Sequence, residues 1–180
     1  WRDLYSANGD VDSLRDNAEQ TDTLFENRNG RRFADVSKQA GDHFARRGFQ
    51  RGAAFADLNG DGFVDIVVTS LGRKPAILLN GGVPGNPAWL GVLLRGTASN
   101  RDGIGARVKV TTPGGRTLYD WVNPSVGFLS SSSRQLHFGL GPESHVAEVE
   151  VRWPSGAVSR VSDVPANRVL LVEEAPPPKK

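Results

Sequence analysis

The sequence contains no cysteine and no methionine. The absence of cysteine excludes disulfides, thiolate metal sites and cysteine nucleophiles, although it does not by itself identify the cellular compartment. A complete translation product starts with methionine, whereas this chain starts with Trp1. We therefore expect the chain to be a piece of a longer protein.

An excess of one charge and long apolar runs are also missing. Lys+Arg 22 against Asp+Glu 20 leaves a formal net charge of +2, which is too little for a nucleic-acid groove in spite of a pI near 9.2. No stretch approaches the ~18 consecutive apolar residues that a membrane helix needs. No signal-peptide pattern is present either. We expect neither a nucleic-acid partner nor a membrane span.

The abundant residues indicate a β protein. Gly 21 and Pro 11 supply many turns, while aromatic residues make up only 8%. Residues 147–153 alternate apolar and polar or charged side chains with a period of two, as half-buried strands do. Short runs of this kind, separated by Gly- and Pro-rich turns, predict a compact β-sandwich or small barrel. The predicted strands are 89–94, 106–111, 116–122, 135–138, 147–152, 157–161 and 168–172.

Composition also predicts the domain organisation. The run Gly-Gly-Val-Pro-Gly-Asn-Pro at 81–87 cannot belong to a regular element. The run Ala-Pro-Pro-Pro-Lys-Lys at the C-terminus reads as a polyproline-like tail. The predicted segments are a front domain 1–80, a linker 81–88, a back domain 89–174 and a Pro-rich tail 175–180.

The front domain contains a faint internal repeat. Trp-Arg-Asp-Leu-Tyr at 1–5 lines up with Phe-Val-Asp-Ile-Val at 63–67, and Leu-Phe-Glu-Asn at 24–27 lines up with Ile-Leu-Leu-Asn at 77–80. A period of about 50–60 residues is in the range of propeller blades. One blade cannot cover its own apolar faces, and propellers contain ~4–8 blades. We therefore predict an all-β chain that begins with partial β-propeller blades, whose first partner is the remainder of its own propeller.

The strongest motif is the segment 57–65, which reads Asp-Leu-Asn-Gly-Asp-Gly-Phe-Val-Asp. Oxygen-bearing side chains stand at its first, third, fifth and ninth positions, with glycine at the sixth. This alternation brings hard oxygens towards one point, as Ca²⁺ requires. The predicted ligands are the side chains of Asp57, Asn59, Asp61 and Asp65 and the backbone carbonyl of Phe63.

The same segment is not an EF-hand. The twelfth position is Val68 instead of a bidentate glutamate, and the flanking residues read as strands. We therefore predict a Ca²⁺-clasped hairpin between two strands. The alternative is a polar turn without a metal, because Asp, Asn and Gly are common in turns.

These patterns resemble two known families. Residues 51–68, which contain the Asp-rich segment, resemble an FG-GAP/VCBS repeat, the blade unit of integrin-α-type propellers. The back domain resembles the ASPIC/UnbV domain in four short islands, at 100–106, 127–130, 137–141 and 153–156. The resemblance implies Ca²⁺ in the blades, a secreted or cell-surface location and a role in adhesion or binding. It implies no enzymatic activity, and we expect no catalytic residues.

The leading hypothesis is a non-enzymatic extracellular Ca²⁺-binding β module, the C-terminal part of a larger propeller protein. It would act in adhesion, scaffolding or ligand binding, with a surface protein or a glycan as the further partner. The alternatives are a carbohydrate-binding surface module and an accessory domain of a secreted hydrolase. A glycan could stack on exposed tryptophan or contact a basic cluster near Phe44 and Phe49. The candidate residues are Trp89, Trp121 and Trp153 and the cluster Arg46, Arg47 and Arg51.

Ordinary structural roles compete with these functional ones. The tryptophans are more commonly packing residues, and surface arginines usually pair with nearby carboxylates such as Asp. None of the histidines has a partner at metal-ligand spacing. His137 is expected to pack within a strand, and His145 is expected to be exposed.

Overall fold

The computed structural model describes residues 1–12, 14–82, 85 and 87–176. They form an all-β protein, as predicted, with two short 3₁₀ helices at Ser37–Gln39 and Asp42–Ala45. No helix among these residues has the length and apolar composition needed to cross a bilayer. The strands are β1 (Leu4–Ser6), β2 (Thr23–Arg28), β3 (Arg32–Asp35), β4 (Gln50–Ala56), β5 (Asp65–Ser70), β6 (Ala76–Leu78), β7 (Ala88–Arg95), β8 (Arg107–Thr111), β9 (Thr117–Trp121), β10 (Leu136–Gly141), β11 (His145–Arg152), β12 (Val158–Pro165) and β13 (Arg168–Glu173).

The chain divides into two compact units that are not contiguous in sequence. Unit 1 consists of Trp1–Phe55, Asp65–Leu79 and Val126–Ser131, and unit 2 consists of Ala56–Val64, Asn80–Ser125 and Ser132–Lys180. The domain limits drawn from composition stay a prediction. Within the predicted linker, residues 83, 84 and 86 lie outside the described residues, as do residues 177–180 of the predicted tail.

Unit 2 contains a β-sandwich, which is one of the two predicted architectures. One sheet has the strand order β10-β7-β13 and the other has the order β12-β11-β8-β9. Strands β7 and β13 are parallel, whereas the other described pairs are antiparallel. Neither sheet closes on itself among the described residues. All seven strands predicted for the back domain are present, with ends shifted by a few residues.

The core of unit 2 follows from the period-two pattern of its strands. Val108 and Val110 of β8 and Val149 and Val151 of β11 are buried, because alternate side chains of a strand point to the same face. They belong to a cluster of buried apolar side chains that comes from both sheets. Each fully buried valine or leucine stabilises the fold by about 1.5–3 kcal/mol relative to an exposed one.

One predicted strand of unit 2 ends too early. The sequence predicts a strand at 135–138, with the glycines that follow as a turn, but β10 continues through the Gly-Leu-Gly run at 139–141. Leu140 is completely buried in the core, and the pairing of β10 with β7 shifts register between Gly139 and Gly141. Glycine tolerates the backbone of such a bulge. The two glycines therefore bend a core strand instead of ending it.

Unit 1 contains two three-stranded sheets, β1-β2-β3 and β4-β5-β6. The internal repeat reappears in their strand pairing. Leu4 is opposite Phe25 in the first sheet, and the aligned residues Ile66 and Leu78 are opposite each other in the second. The flanking pairs follow the same correspondence. The repeat in the sequence is therefore a repeat of strand register.

The two copies also share an aromatic ring placed over a glycine. A Cβ at Gly30 would lie 2.6 Å from the ring of Trp1, and a Cβ at Gly82 would lie 2.7 Å from the ring of Phe63. Both glycines have positive φ, at 68° and 81°. In each copy the side-chain oxygen of an asparagine two or three residues before the glycine accepts a hydrogen bond from the glycine backbone amide, at 2.8 and 3.0 Å. Close approach and left-handed backbone together require glycine at these positions.

Candidate functional site

The Asp-rich segment forms the connection between β4 and β5. Asp57 accepts hydrogen bonds through both carboxylate oxygens, from the amide of Gly60 at 2.8 Å and from that of Gly62 at 2.9 Å. Asn59 Oδ1 accepts from the Asp61 amide at 3.2 Å, and Asp61 Oδ1 accepts from the Phe63 amide at 2.8 Å. These successive Asx turns curl the backbone around its own oxygen-bearing side chains.

An aromatic pair in the same unit supports residues 57–64 of this loop. The ring of Trp89 stacks on His137 with centroids 6.1 Å apart and an interplanar angle of 16°. His137 Nε2 donates a hydrogen bond to the Gly62 carbonyl at 2.7 Å. A Cβ at Gly62 would lie 1.9 Å from Trp89 Nε1. Glycine at the sixth position is therefore required by the Trp89 ring as well as by its φ of 89°.

The predicted Ca²⁺ ligands occupy different settings. Asn59 and Asp61 are exposed, Asp57 and Phe63 are half-buried, and Asp65 is completely buried at the start of β5. Asn59 Nδ2 also donates to Asp61 Oδ2 at 2.8 Å. Among the residues that the structure describes, no group of three or more His, Cys, Asp or Glu residues is placed to hold a metal ion. The loop as it stands is held by hydrogen bonds from side chains to backbone amides.

The donor chemistry of the loop nevertheless suits Ca²⁺. The segment offers three carboxylates, one amide oxygen and backbone carbonyls, which are the hard oxygen ligands that this ion prefers. A carboxylate oxygen that accepts one backbone N–H still has a second lone pair. The hydrogen bonds to Asp57 and Asp61 therefore orient these carboxylates without using up their capacity to ligate.

Unit 1 contains a buried carboxylate that sequence analysis missed. The Asp22 side chain is completely shielded from solvent. It accepts hydrogen bonds from the Tyr5 hydroxyl, from His43 Nε2 at 2.7 Å and from the Asn8 amide at 2.9 Å. Burial raises the pKa of the Tyr5 hydroxyl, and its hydrogen bond to the Asp22 carboxylate and the charge of that group raise it further. No local pattern could reveal this cluster, because its members are distant in sequence.

A second buried carboxylate, Glu174, follows the last strand of unit 2. Its Oε2 accepts from the amides of Thr97, Ala98 and Ser99 at 2.8, 3.0 and 2.7 Å, and its Oε1 accepts from the hydroxyls of Ser99 and Ser155 at 2.9 and 2.5 Å. Burial alone would raise the pKa of this carboxyl, but the hydrogen bonds from Ser155, Ser99 and Thr97 outweigh it and lower the pKa to about 2. From the sequence, Glu174 was predicted only as the last residue of the back domain.

Two arginines of the basic cluster make hydrogen bonds within the chain. Arg47 donates to the Glu19 carbonyl at 2.6 and 3.0 Å, and Arg51 donates to the carbonyls of Gly9 and Asp10 at 3.1 and 2.8 Å. For Arg47 and Arg51 the expected pairing with Asp carboxylates is wrong, since both donate to backbone oxygens. They hold together the loops before β2 and β4.

The three candidate tryptophans separate into two packing residues and an exposed one. Trp153 is buried, and its Nε1 donates to the Ser159 hydroxyl at 2.9 Å. Trp89 packs on His137, which confirms the packing expected for that histidine. Trp121 is 54% exposed on β9. Of the predicted trio, Trp121 is thus exposed, whereas Trp89 is half-buried and Trp153 is buried.

Comparison with known families agrees with this architecture. Residues 1–68 match the FG-GAP-like repeat model, and residues 96–179 match the ASPIC and UnbV model. The chain thus carries an FG-GAP-like repeat segment followed by an ASPIC/UnbV domain, which confirms the resemblance seen in the sequence motifs.

Individual proteins are also similar to this chain. The chain is 31% identical over 136 residues to human (Homo sapiens) cartilage acidic protein 1, an alignment that covers 73% of this chain and 20% of the relative. The mouse (Mus musculus) protein of the same name is 30% identical over 136 residues, covering 73% of this chain and 21% of the relative. The chain therefore spans about a fifth of the length of these curated relatives.

Proposed function

We propose that the chain is a non-enzymatic, extracellular, Ca²⁺-binding β module that forms the C-terminal part of a larger propeller protein and acts in adhesion, scaffolding or ligand binding. The observation that carries this proposal is the curled Asp-rich loop within a segment that matches the FG-GAP-like repeat model. The name of the relatives refers to cartilage, which supports a secreted location.

The Ca²⁺ part of the proposal assigns the ligands named from the sequence, namely Asp57, Asn59, Asp61, Asp65 and the Phe63 carbonyl. The ion would neutralise the mutual repulsion of the carboxylates and cross-link the two ends of the loop. The Asx turns already orient Asp57 and Asp61 by hydrogen bonds to backbone amides. The Trp89–His137 pair supports the loop through Gly62.

The partner proposed first is the remainder of the propeller. Several large apolar side chains on the strands of unit 1 are exposed, including Leu4 at 52%, Phe33 at 49% and Ile77 at 63%. Leu79, next to β6, is 62% exposed. Exposed apolar side chains on strands support an interaction surface, and blades of a propeller cover one another's faces in this way.

A structural role for the histidines supports the non-enzymatic reading. His43 is bonded to the buried Asp22, and His137 is bonded to the backbone of the Asp-rich loop. Neither ring nitrogen in these contacts is directed at a serine or threonine hydroxyl. Both residues therefore act as structural hydrogen-bond partners.

The test of the Ca²⁺ proposal is thermal unfolding of the 180-residue chain with Ca²⁺ or with a chelator. An ion that binds only the native state stabilises it by about 2.7 kcal/mol when present at 100 times its Kd. We expect a Ca²⁺-dependent increase in Tm that Asp61→Asn reduces. The matched control is Asp163→Asn, which alters a carboxylate that is 89% exposed and outside the loop.

The control variant should retain the whole Ca²⁺ response. Equal midpoints with and without Ca²⁺ for the unaltered chain would reject the metal-binding proposal. A response that both variants lose equally would show a general ionic effect instead of a site in the loop.

A further inference from the structure

The outer face of the four-stranded sheet in unit 2 carries two exposed aromatic rings. In β9 the side chains alternate, so that Asp120 is buried while Tyr119 and Trp121 are 69% and 54% exposed. Residues two apart on a strand lie roughly 7 Å from each other on the same face. The edge strand of this sheet therefore presents a row of two rings to solvent.

The neighbouring strand places a cation opposite each ring. Arg107 of β8 is the pairing partner of Trp121, and Lys109 is the partner of Tyr119. Directly opposed residues of an antiparallel pair have Cβ atoms about 4.5–5.5 Å apart. Within the part of the chain that the structure describes, no hydrogen bond or ion pair engages the Arg107 guanidinium or the Lys109 ammonium group. Their charges remain available to a ligand.

The carboxylates of the same face are already neutralised. Glu150 of β11 binds Arg152 at 2.8 Å and Arg160 at 2.6 Å. Glu148 lies 3.9 Å from Arg160. These two acids and two arginines balance one another, so the surplus positive charge of the face belongs to Arg107 and Lys109. Positive charge is thus concentrated beside the exposed rings.

We propose that this aromatic–basic face, defined by Arg107, Lys109, Tyr119 and Trp121, binds a linear acidic polysaccharide that contains uronate units. The sugar rings would stack on Trp121 and Tyr119, and the carboxylates would pair with Arg107 and Lys109. Both requirements are met side by side on two adjacent strands. The proposal does not depend on Ca²⁺ binding, because none of these residues lies in the Asp-rich loop.

Other occupants fit this face less well. A nucleic acid presents a dense phosphate backbone and binds surfaces with many more cations, whereas this face offers two unpaired ones. A second copy of the chain would bring another positive face against it, and like charges repel. A uronate polymer alternates flat apolar ring faces with single negative charges, which matches the alternation of rings and cations here.

The experiment measures binding of the 180-residue chain to polygalacturonate, with a neutral glucan and duplex DNA as comparison polymers. We expect saturable binding of polygalacturonate and no binding of the glucan. Trp121→Ala and Arg107→Ala should each weaken the affinity about tenfold, which corresponds to about 1.4 kcal/mol. Higher salt should weaken binding further, because the charged contacts are exposed.

The control variants remove an aromatic ring and an arginine at other surface positions. Phe128→Ala removes a ring that is 64% exposed, and Arg101→Ala removes an exposed cation on the turn after β7. Both should bind like the unaltered chain. Circular dichroism should show equal folding of all variants, since every altered side chain is at the surface.

Three outcomes would overturn the proposal. Equal weakening by Arg101→Ala and Arg107→Ala, with no effect of Trp121→Ala, would indicate unspecific attraction of polyanions. Stronger binding of DNA than of polygalacturonate would assign the face to phosphates. Concentration-dependent dimerisation that Trp121→Ala abolishes, in the absence of polysaccharide binding, would assign it to a second copy of the chain.

Discussion

Unit 2 and unit 1 differ in how completely each buries its own apolar residues. Sixteen apolar residues of unit 2, most of them on the strands of its two sheets, form one buried cluster. The buried hydrophobic residues described in unit 1 are Ala18, Phe44 and Val68, and they form no comparable cluster. In a sandwich, two sheets bury each other's apolar faces. A propeller blade needs neighbouring blades to cover its apolar faces. The sandwich therefore buries its own apolar core, whereas unit 1 leaves large apolar side chains exposed, as the proposed neighbouring blades would require.

The largest expected effect tests this contrast with the same substitution in both units. Leu90→Ala removes a fully buried side chain from unit 2, and we expect a loss of about 2–5 kcal/mol of unfolding free energy. Leu79→Ala removes a side chain of unit 1 that is 62% exposed, and we expect a change within about 0.5 kcal/mol. Chemical denaturation of both variants measures the difference. Similar losses would contradict the idea that unit 1 leaves its apolar surface uncovered.

A smaller effect is expected for the buried carboxylate of Glu174, which follows the last strand of unit 2. Glu174→Gln keeps the shape of the side chain but removes the negative charge that accepts hydrogen bonds from Thr97, Ala98 and Ser99. We expect a loss of about 1.5–3 kcal/mol, the range for hydrogen bonds to a charged group. Urea denaturation of the variant at neutral pH measures it. The exposed Glu173, changed to Gln in the same way, serves as the matched control and should have little effect.

The same carboxylate predicts an acid dependence. The pKa of Glu174 is lowered from 4.5 to about 2 in the folded chain, so the folded state favours the ionised form. Its contribution is fully present well above pH 4.5 and is lost as the pH falls towards 2. Unfolding free energies measured between pH 6 and pH 2 should therefore decrease less steeply for Glu174→Gln than for the unaltered chain. Parallel curves would contradict the assignment.

A comparison within the Asp-rich loop distinguishes two of its glycines. Both have positive φ, but a Cβ at Gly62 would collide with Trp89, whereas a Cβ at Gly60 meets nothing within 4 Å. We expect Gly60→Ala to cost about 1 kcal/mol through backbone strain and Gly62→Ala to cost about 1–3 kcal/mol more. Thermal unfolding compares them. Equal costs would show that the Trp89–His137 pair does not support the loop.

Side-chain periodicity and turn residues predict most strands of the back domain without any tertiary contact. The alternation at 147–153 identified β11, and the glycine- and proline-rich turns located all seven strands of the back domain. The repeat of 1–5 at 63–67 corresponded to a common strand register. These features are visible in sequence because they depend on neighbours along one strand or on a short local turn.

The buried carboxylates could not be found in the same way. Asp22 and His43 are 21 residues apart, and Glu174 binds amides more than 70 residues away. The error at Gly139–Gly141 has a similar origin, since glycine ends most strands but here accommodates a bulge that keeps Leu140 in the core. In each case a distant partner outweighed the local preference.

The sequence by itself determined the all-β class, the repeat and the oxygen-rich segment 57–65, because these depend on side-chain period and loop chemistry. Only the tertiary structure decided which polar groups are satisfied internally and which remain at the surface. It placed Trp153 in the core and Trp121 in solvent, and it tied Arg51 to backbone carbonyls while leaving Arg107 beside an exposed ring. The physical reason is that burial and pairing depend on the residues that folding brings together, and sequence distance does not predict them.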